Sequence, residues 1–495
     1  MWTDGTNRYK TGDVVTVSAE TILKPCWKVT PSADKDINTL PTSVTEIVVT
    51  DGKTLEISAD RSLDNLTVEA GGKVSGSATL NVNNLTIKTS LGTVTGEETQ
   101  STGKSGEISN NHITANGDVW IEIELTQESQ ASFGWYAFSV PFPVNTMNGV
   151  YYQNTPLQNE VGYAIMAYHE DERAAGKYAW KKYRETNLVP GMLYIITVGD
   201  TDYKTLRFKK AQGTNLIASN SVPVSYTTAS GEGASGWNGV GNPNLQVSHQ
   251  NDFTYLQFLD HDDNCFRART AATTDLLVGT AFMVQVAEAT ENITIATGAN
   301  SGEGNIALAP ARAPKAVENT IFEVKLVNAE TNRTEDNLFL TTREDALNEY
   351  EIGRDVAKMS MGDAKCAQMW VPAYSTQLCA ADFQLINDKA EYSLIINTPK
   401  AGTYSINAQE NENATIYLTY NGRAIWNLSM SACELDLAQG QNEGYGLRLV
   451  VNAPAVVTGV DQIDAKASAQ KVIIDEHVYI LRGGQMYDVN GKMVK

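Results

Sequence analysis

Apolar and polar positions alternate along most of this chain. Ile121, Ile123 and Leu125 interleave with Glu122 and Glu124, and residues 392–397, 415–420 and 447–451 form runs rich in Tyr, Ile, Thr and Val between turn residues. Period two with β-branched content predicts antiparallel sheet with one wet face. Asn421-Gly422, set between TIYLTY and RAIWNL, predicts a two-residue hairpin, because a type I′ turn needs positive φ at both central positions. Helical spacing is scarce and predicts only short helices over 171–183 and 343–350. The expected fold class is all-β: tandem antiparallel β-sandwich domains, with short solenoid-like repeat strands before them and a β-meander at the C-terminus.

The periodic segments are interrupted by stretches of different composition. Residues 297–316 (TGANSGEGNIALAPARAPKA) and 96–111 (GEETQSTGKSGEISNN) are small, polar and unpatterned, and 459–470 is a softer break. These breaks divide the chain into segments 1–29, 44–96, 111–296, 317–454 and 471–495. Within the second segment, LDNLTVEAGGKVSG and VNNLTIKTSLGTVTG start 19 residues apart and share an N-L-T-[VI] core, and EIVVTDGKTLEIS is a looser preceding copy. Short repeated strands with small residues at the turns predict stacked rungs or a meander, each unit covering its neighbour's apolar face. Two or three copies bury little by themselves, so this segment is expected to pack on the next domain. The last 25 residues, KVIIDEHVYILRGGQMYDVNGKMVK, hold apolar runs too short to form a core and must also dock on a surface. The candidate surface is the 317–454 sandwich or its edge, with Gly483-Gly484 and Asn490-Gly491 as turns.

The 495 residues carry 38 Lys and Arg against 58 Asp and Glu, a net charge of -20. Such a chain repels nucleic-acid phosphates and anionic membrane surfaces, so no nucleic-acid partner is expected. No apolar run is long enough to be a transmembrane segment, and MWTDGTNRYK lacks the pattern of a signal peptide. That leaves a cytosolic protein or a piece of a longer secreted chain. The five cysteines, Cys26, Cys265, Cys366, Cys379 and Cys433, show neither zinc spacing nor a disulfide framework. They are expected to be mostly buried thiols, with Cys366 and Cys379 the one candidate pair across neighbouring strands.

Four groups of residues carry resemblances. Trp2, Thr3-Asp4-Gly5, Tyr9, Gly12-Asp13, Val15-Thr16-Val17 and Leu23-Lys24-Pro25-Cys26-Trp27 resemble the last two-thirds of an internalin-type B repeat, the Listeria-Bacteroides repeat of bacterial surface proteins. That likeness implies further repeat before Met1. GWYAFSVPFPV, GMLYIIT, GWNGVGNPNL and GTAFMVQV are similar to modules of large exported proteins of the Bacteroidetes. YEIGRDVAKM and PKAGTYSI resemble the Y-x-x-x-x-D-A-x-K and P-x-x-G-x-Y-x-[IL] patterns of a β-sandwich near the C-termini of such cargo, with Val356 a departure. Residues 486–494 resemble the x-Y-D-x-x-G-[RK]-x-V segment of type IX secretion sorting domains, through Tyr487, Asp488, Gly491, Lys492 and Val494. A full sorting domain continues beyond that segment, whereas this sequence stops at Lys495.

Candidate chemistry is sparse. The sequence has no G-x-S-x-G, H-E-x-x-H, P-loop or strand-borne G-x-G-x-x-G, and its five histidines have no informative neighbours. No catalytic residues and no cofactor are therefore expected. Asp260, Asp262 and Asp263 form the densest oxygen cluster and are the candidate calcium ligands, against the alternative of a hairpin tip that satisfies its own backbone. Glu170-Asp171-Glu172-Arg173 reads as a solvated helix start in preference to a glycosidase carboxylate pair. Trp237 is the candidate ligand-binding aromatic, with core packing as the alternative.

The expected function is a non-catalytic exported protein, extracellular or on the outer cell surface, serving adhesion or surface architecture. Its partners would be an export machinery that reads the tail, and host or surface glycans or proteins. Two alternatives stand beside it: a carbohydrate-binding protein, and the accessory C-terminal region of a larger secreted enzyme.

Overall fold

The computed structural model describes residues 2–3, 8–9, 24–25, 27–91, 103–125, 134–200, 205–260, 263–288, 292–299, 320–362, 364–409, 411, 413–451, 470–474, 477–482, 485–488 and 494. The chain is all-β. Glu170–Ala174 is its single α-helix among the described residues.

The 19-residue repeat builds a parallel β-solenoid. Val44–Val49, Arg61–Val68, Leu80–Ser90 and Val119–Glu124 stack in one parallel sheet, and Lys35–Asp36, Thr54–Ile57, Lys73–Gly76 and Glu107–Ile108 stack in the facing one. Register makes ladders of like residues. Ile47, Leu66, Leu85 and Val119 pair in series, as do Val49, Val68, Ile87 and Ile121, and every one is at most 1% exposed. These inward rows meet Leu55, Val74 and Ile108 from the other face. The outward asparagines stack as well, Asn84 Nδ2 donating to Asn65 Oδ1 at 3.1 Å. Glycine is required where one corner passes over the rung below: a Cβ on Gly72 would sit 2.5 Å from the Val49 carbonyl oxygen, and one on Gly106 2.5 Å from that of Val68.

The solenoid is closed at one end by the next module. Residues 113–124, expected to open the following sandwich, instead form its last parallel rung. Val119–Glu124 then pairs antiparallel with Thr205–Lys209, which pairs with Val150–Tyr152. The apolar core runs unbroken from Ile37 to Phe208, so a parallel sheet edge that would template association is covered.

The middle of the chain forms two four-stranded antiparallel sheets. One contains Tyr136–Phe138, Tyr194–Val198, Tyr163–Tyr168 and Trp180–Lys182; the other contains Trp237–Gly241, Ala281–Gln285, Tyr255–Asp260 and Cys265–Thr270. The helix expected over 171–183 is confined to one turn and a half. Gly176, at φ +71°, ends it, with Lys177 N–H donating to the Glu172 carbonyl, and the chain returns as the strand Trp180–Lys182.

From Phe322 to Val451 the strands form a folded antiparallel sheet with one parallel pair, Phe339 beside Ala380. The Asn421-Gly422 turn is present with φ of +48° and +74°, joining Tyr420 to its partner Arg423. The helix expected over 343–350 is absent. Arg343 is held by Asp382 and Glu351, and Glu351 also accepts from Leu347 N–H, so its charges fix a loop. One hydrophobic cluster extends from Trp180, Trp237 and Phe266 through to Leu447 and Leu449, which fuses the middle sheets to the last sandwich.

The terminal strands Gln470–Ile474, His477–Arg482 and Gln485–Asp488 form their own antiparallel sheet and, among the described residues, add to no edge of the sandwich. Their Gly483-Gly484 and Asn490-Gly491 turns lie outside the described residues. At the other end, Trp2 pairs with Tyr9 and Pro25 in a small sheet; the Asp4-Gly5 and Gly12-Asp13 turns also lie outside them.

Candidate functional site

The acidic hairpin lies at the junction of the middle module and the last sandwich. Asp260 pairs with Cys265, so Asp263 folds back toward Arg267 on the returning strand. Arg267 Nη1 donates to Asp260 Oδ2 at 2.7 Å and to Asp263 Oδ1 at 3.2 Å, while Nη2 donates to Asp263 Oδ2 at 2.6 Å. Its Nε and Nη2 both donate to the Glu335 carbonyl, at 3.0 and 2.7 Å. Arg333 Nη2 reaches Asp263 Oδ2 at 2.8 Å. Burial alone would pull the Arg267 guanidinium down, but Asp263 and Asp260 outweigh it and hold the group above its ordinary value.

This arrangement corrects the calcium expectation for Asp260 and Asp263. Two guanidiniums stand where a cation would, and the Asp263 carboxylate also accepts from Cys265 N–H at 3.0 Å. Asp262 lies outside the described residues. Asp263, Cys265 and Cys366 bring an oxygen and two sulfurs within 4.8 Å of one another. The two sulfurs, however, are joined as a disulfide and offer no thiolate.

The Cys265–Cys366 bond corrects the expected pairing of Cys366 with Cys379. Val371 pairs with Leu378, which leaves Cys366 several positions short of the point opposite Cys379. Cys379 instead stays a buried thiol, pushed up to about 12 by burial. Around the disulfide the modules are stitched by hydrogen bonds. Gln257 Nε2 donates to the Ala357 carbonyl at 2.8 Å and its Oε1 accepts from Met359 N–H at 2.9 Å; Lys365 N–H donates to the Asp263 carbonyl at 2.8 Å.

Trp237 is 1% exposed, which corrects its reading as a ligand-stacking residue. Its Nε1 donates to the Gly233 carbonyl at 3.0 Å, and Arg173 covers the ring at 5.4 Å. The W-N-x-x-G-N-P stretch is structural throughout. Asn238 Nδ2 donates to the Ser225 and Gly236 carbonyls, Asn242 Nδ2 to those of Gln246 and Leu276, and a Cβ on Gly241 would strike Ser139 Cβ at 2.4 Å. Glu170 is likewise no solvated helix start. Its carboxylate is buried and accepts from Thr227 N–H, Thr227 Oγ1 and Gly236 N–H at 2.7, 2.7 and 3.0 Å.

The Y-x-x-x-x-D-A-x-K residues are also buried, and Tyr350, Asp355 and Lys358 each bond a residue outside the segment. Tyr350 OH donates to Gln285 Oε1 at 2.5 Å and accepts from Ala357 N–H. Lys358 Nζ bonds both oxygens of Asp336, at 2.8 and 2.7 Å. Asp355 accepts from Glu351 N–H and Asp382 N–H, both at 3.0 Å. Burial pushes Asp355 up to about 7 in spite of those two bonds, and the nearby Asp382 and Glu351 charges add to the rise.

In the tail, Tyr487 pairs with Ile480, Asp488 pairs with Tyr479, and Val494 N–H donates to the Met486 carbonyl at 2.8 Å. Gly491 and Lys492 lie outside the described residues.

A cleft of about 800 Å³ opens between the last solenoid rung and the middle module. Its lining comes from 115–118, 145–151, 186–187 and 209–214 and includes the side-chain amides of Asn116, Asn145, Asn148, Asn187 and Gln212. No single segment announces it, since its polar side chains are spread over four separated stretches of the chain. The chain matches no family model, no curated protein and no solved structure.

Proposed function

We propose that this is a non-catalytic exported protein, extracellular or on the outer cell surface, that serves adhesion or surface architecture. The observation that carries the reading is the Cys265–Cys366 disulfide across the joint between two modules. Disulfides persist in oxidising compartments, whereas cytosolic thiols are kept reduced. The apolar cluster that runs through that joint from Trp180 to Leu449 suits a stiff spacer, because it packs the middle sheets directly on the last sandwich. The resemblances to exported surface modules support the same reading. So does the use of their signature residues Tyr350, Asp355, Lys358 and Trp237 in buried structural bonds.

The C-terminal strands act as the address in this reading. Their described strands pair with one another in a sheet of their own, as a separately read segment would. Deleting 471–495 should leave the melting temperature of the body within a few degrees and trap the chain inside a producing cell with a working type IX pathway. Normal export of the shortened chain from that host rules the address out.

A further inference from the structure

The cleft at the solenoid end is shaped before any ligand arrives. Its walls are tied by backbone hydrogen bonds: Lys209 N–H to the Gly149 carbonyl at 2.7 Å, Lys210 to Val119 at 2.9 Å, Ala211 to Pro143 at 2.7 Å and Thr146 to Thr186 at 2.9 Å. A preformed site of this size spares a ligand most of the ordering cost.

The groups it leaves open to a ligand include neutral amides that work in both directions. The side-chain amides of Asn116, Asn148, Asn187 and Gln212 face the cleft and make no hydrogen bond among the described residues. Each amide both donates and accepts, which is what a row of hydroxyls on a sugar ring requires. One aromatic joins them: Tyr151, held edge-on against Trp120 at a centroid distance of 4.9 Å and an angle of 88°. An aromatic ring offers an apolar surface to the C–H face of a pyranose.

Charge argues against the other ligand classes. Lys209 is paired with Asp118 at 2.8 Å, and Lys210 Nζ donates to the Thr214 and Ala211 carbonyls at 2.6 and 3.3 Å. Neither lysine of the lining is left unengaged for a phosphate or sulfate among the described residues, and the net charge of -20 repels polyanions at long range. An extended peptide needs an open strand edge, but Thr205–Lys209 is paired on both sides.

We propose that this cleft binds a short neutral oligosaccharide, with the free amides of Asn148, Asn187 and Gln212 bonding its hydroxyls and Tyr151 carrying its C–H face. The site gives the adhesive reading a ligand class but does not depend on export, since binding is measured on purified chain.

Isothermal titration of the full chain with cellotetraose, xylotetraose, maltotetraose, mannotetraose and chitotriose tests it, with a sulfated heparin tetrasaccharide as the charged comparison. At least one neutral probe should bind. Asn148→Ala/Gln212→Ala, in which both residues are exposed, should weaken that probe about tenfold, in line with two lost hydrogen bonds. Tyr151→Ala should weaken it at least as much, and the melting temperature of the amide variant should stay unchanged. Failure of every neutral probe, binding of the sulfated probe alone, or full affinity in the folded amide variant overturns the proposal.

Discussion

Arg267 grips Asp263 through a two-point fork, with Nη2 at 2.6 Å from Oδ2 and Nη1 at 3.2 Å from Oδ1, in a site where both residues are 2% exposed. The same guanidinium reaches across to the Glu335 carbonyl of the neighbouring sandwich. One side chain thus neutralises the acidic hairpin and fastens two modules.

Removing that arginine takes the buried Asp260 and Asp263 away from the guanidinium that bonds both of them. Arg267→Ala should therefore lower stability by roughly 3 to 5 kcal/mol, the range for breaking a buried pair. Chemical denaturation monitored by tryptophan fluorescence reads it. Calcium and EDTA should leave the melting temperature of the unaltered chain where it is. A calcium-dependent rise, lost on Asp262→Ala, would mean that an ion binds the tip after all.

The disulfide closes a loop of 101 residues in sequence separation. Chain entropy then puts its contribution at up to about 4 to 5 kcal/mol. Cys265→Ser/Cys366→Ser should show a large drop in denaturation midpoint and faster proteolysis between the modules. Thiol titration of the native, unaltered chain should find Cys379 and Cys433 unreactive, because both are buried.

How much of this was legible in the sequence depends on distance along the chain. The 19-residue echo of Leu66 and Leu85 is a local signal, and it announced the solenoid because each rung repeats its inward row. The Asn421-Gly422 turn was legible for the same reason, since its chemistry is contained in two residues. The disulfide, the Arg267 fork and the fused core were not, because they join residues that only tertiary packing brings together. Residues 343–350 show the converse. Their charges look helical locally, yet Arg343 and Glu351 satisfy one another and Asp382 in a loop, and tertiary bonds override propensity. The cleft was invisible because its amides come from four separated segments.

Asp355 predicts a pH dependence. In the folded chain its carboxyl holds a proton up to about 7, whereas unfolded it releases it near 3.9. Between those values the native state binds more protons, so stability falls as pH rises from about 4 to about 7 and levels off above. The contribution is on the order of a few kcal/mol and shared with Asp382, which burial also raises despite Arg343 and Arg354. Melting scans should give a higher midpoint at pH 5 than at pH 8. Asp355→Asn should flatten that slope, and an unchanged slope would remove Asp355 from the explanation.

The solenoid and the strands that cap it should unfold as one unit. Leu85 is fully buried in the core that continues to Phe208, and Leu85→Ala should cost about 2 to 5 kcal/mol. Hydrogen exchange should then rise together in 61–68 and 205–209. Faster exchange limited to the solenoid rungs would show that the shared core does not couple them.

The central claim is that this chain works outside the reducing cytosol as a stapled, rigid body. Its most direct test is disulfide mapping by mass spectrometry on the protein recovered from fractions of its own producing cells, alkylated at harvest. The account predicts that the mature pool lies in the outer-surface or extracellular fraction with Cys265 linked to Cys366. A mature pool found in the cytosolic fraction, with both cysteines alkylated, would contradict it.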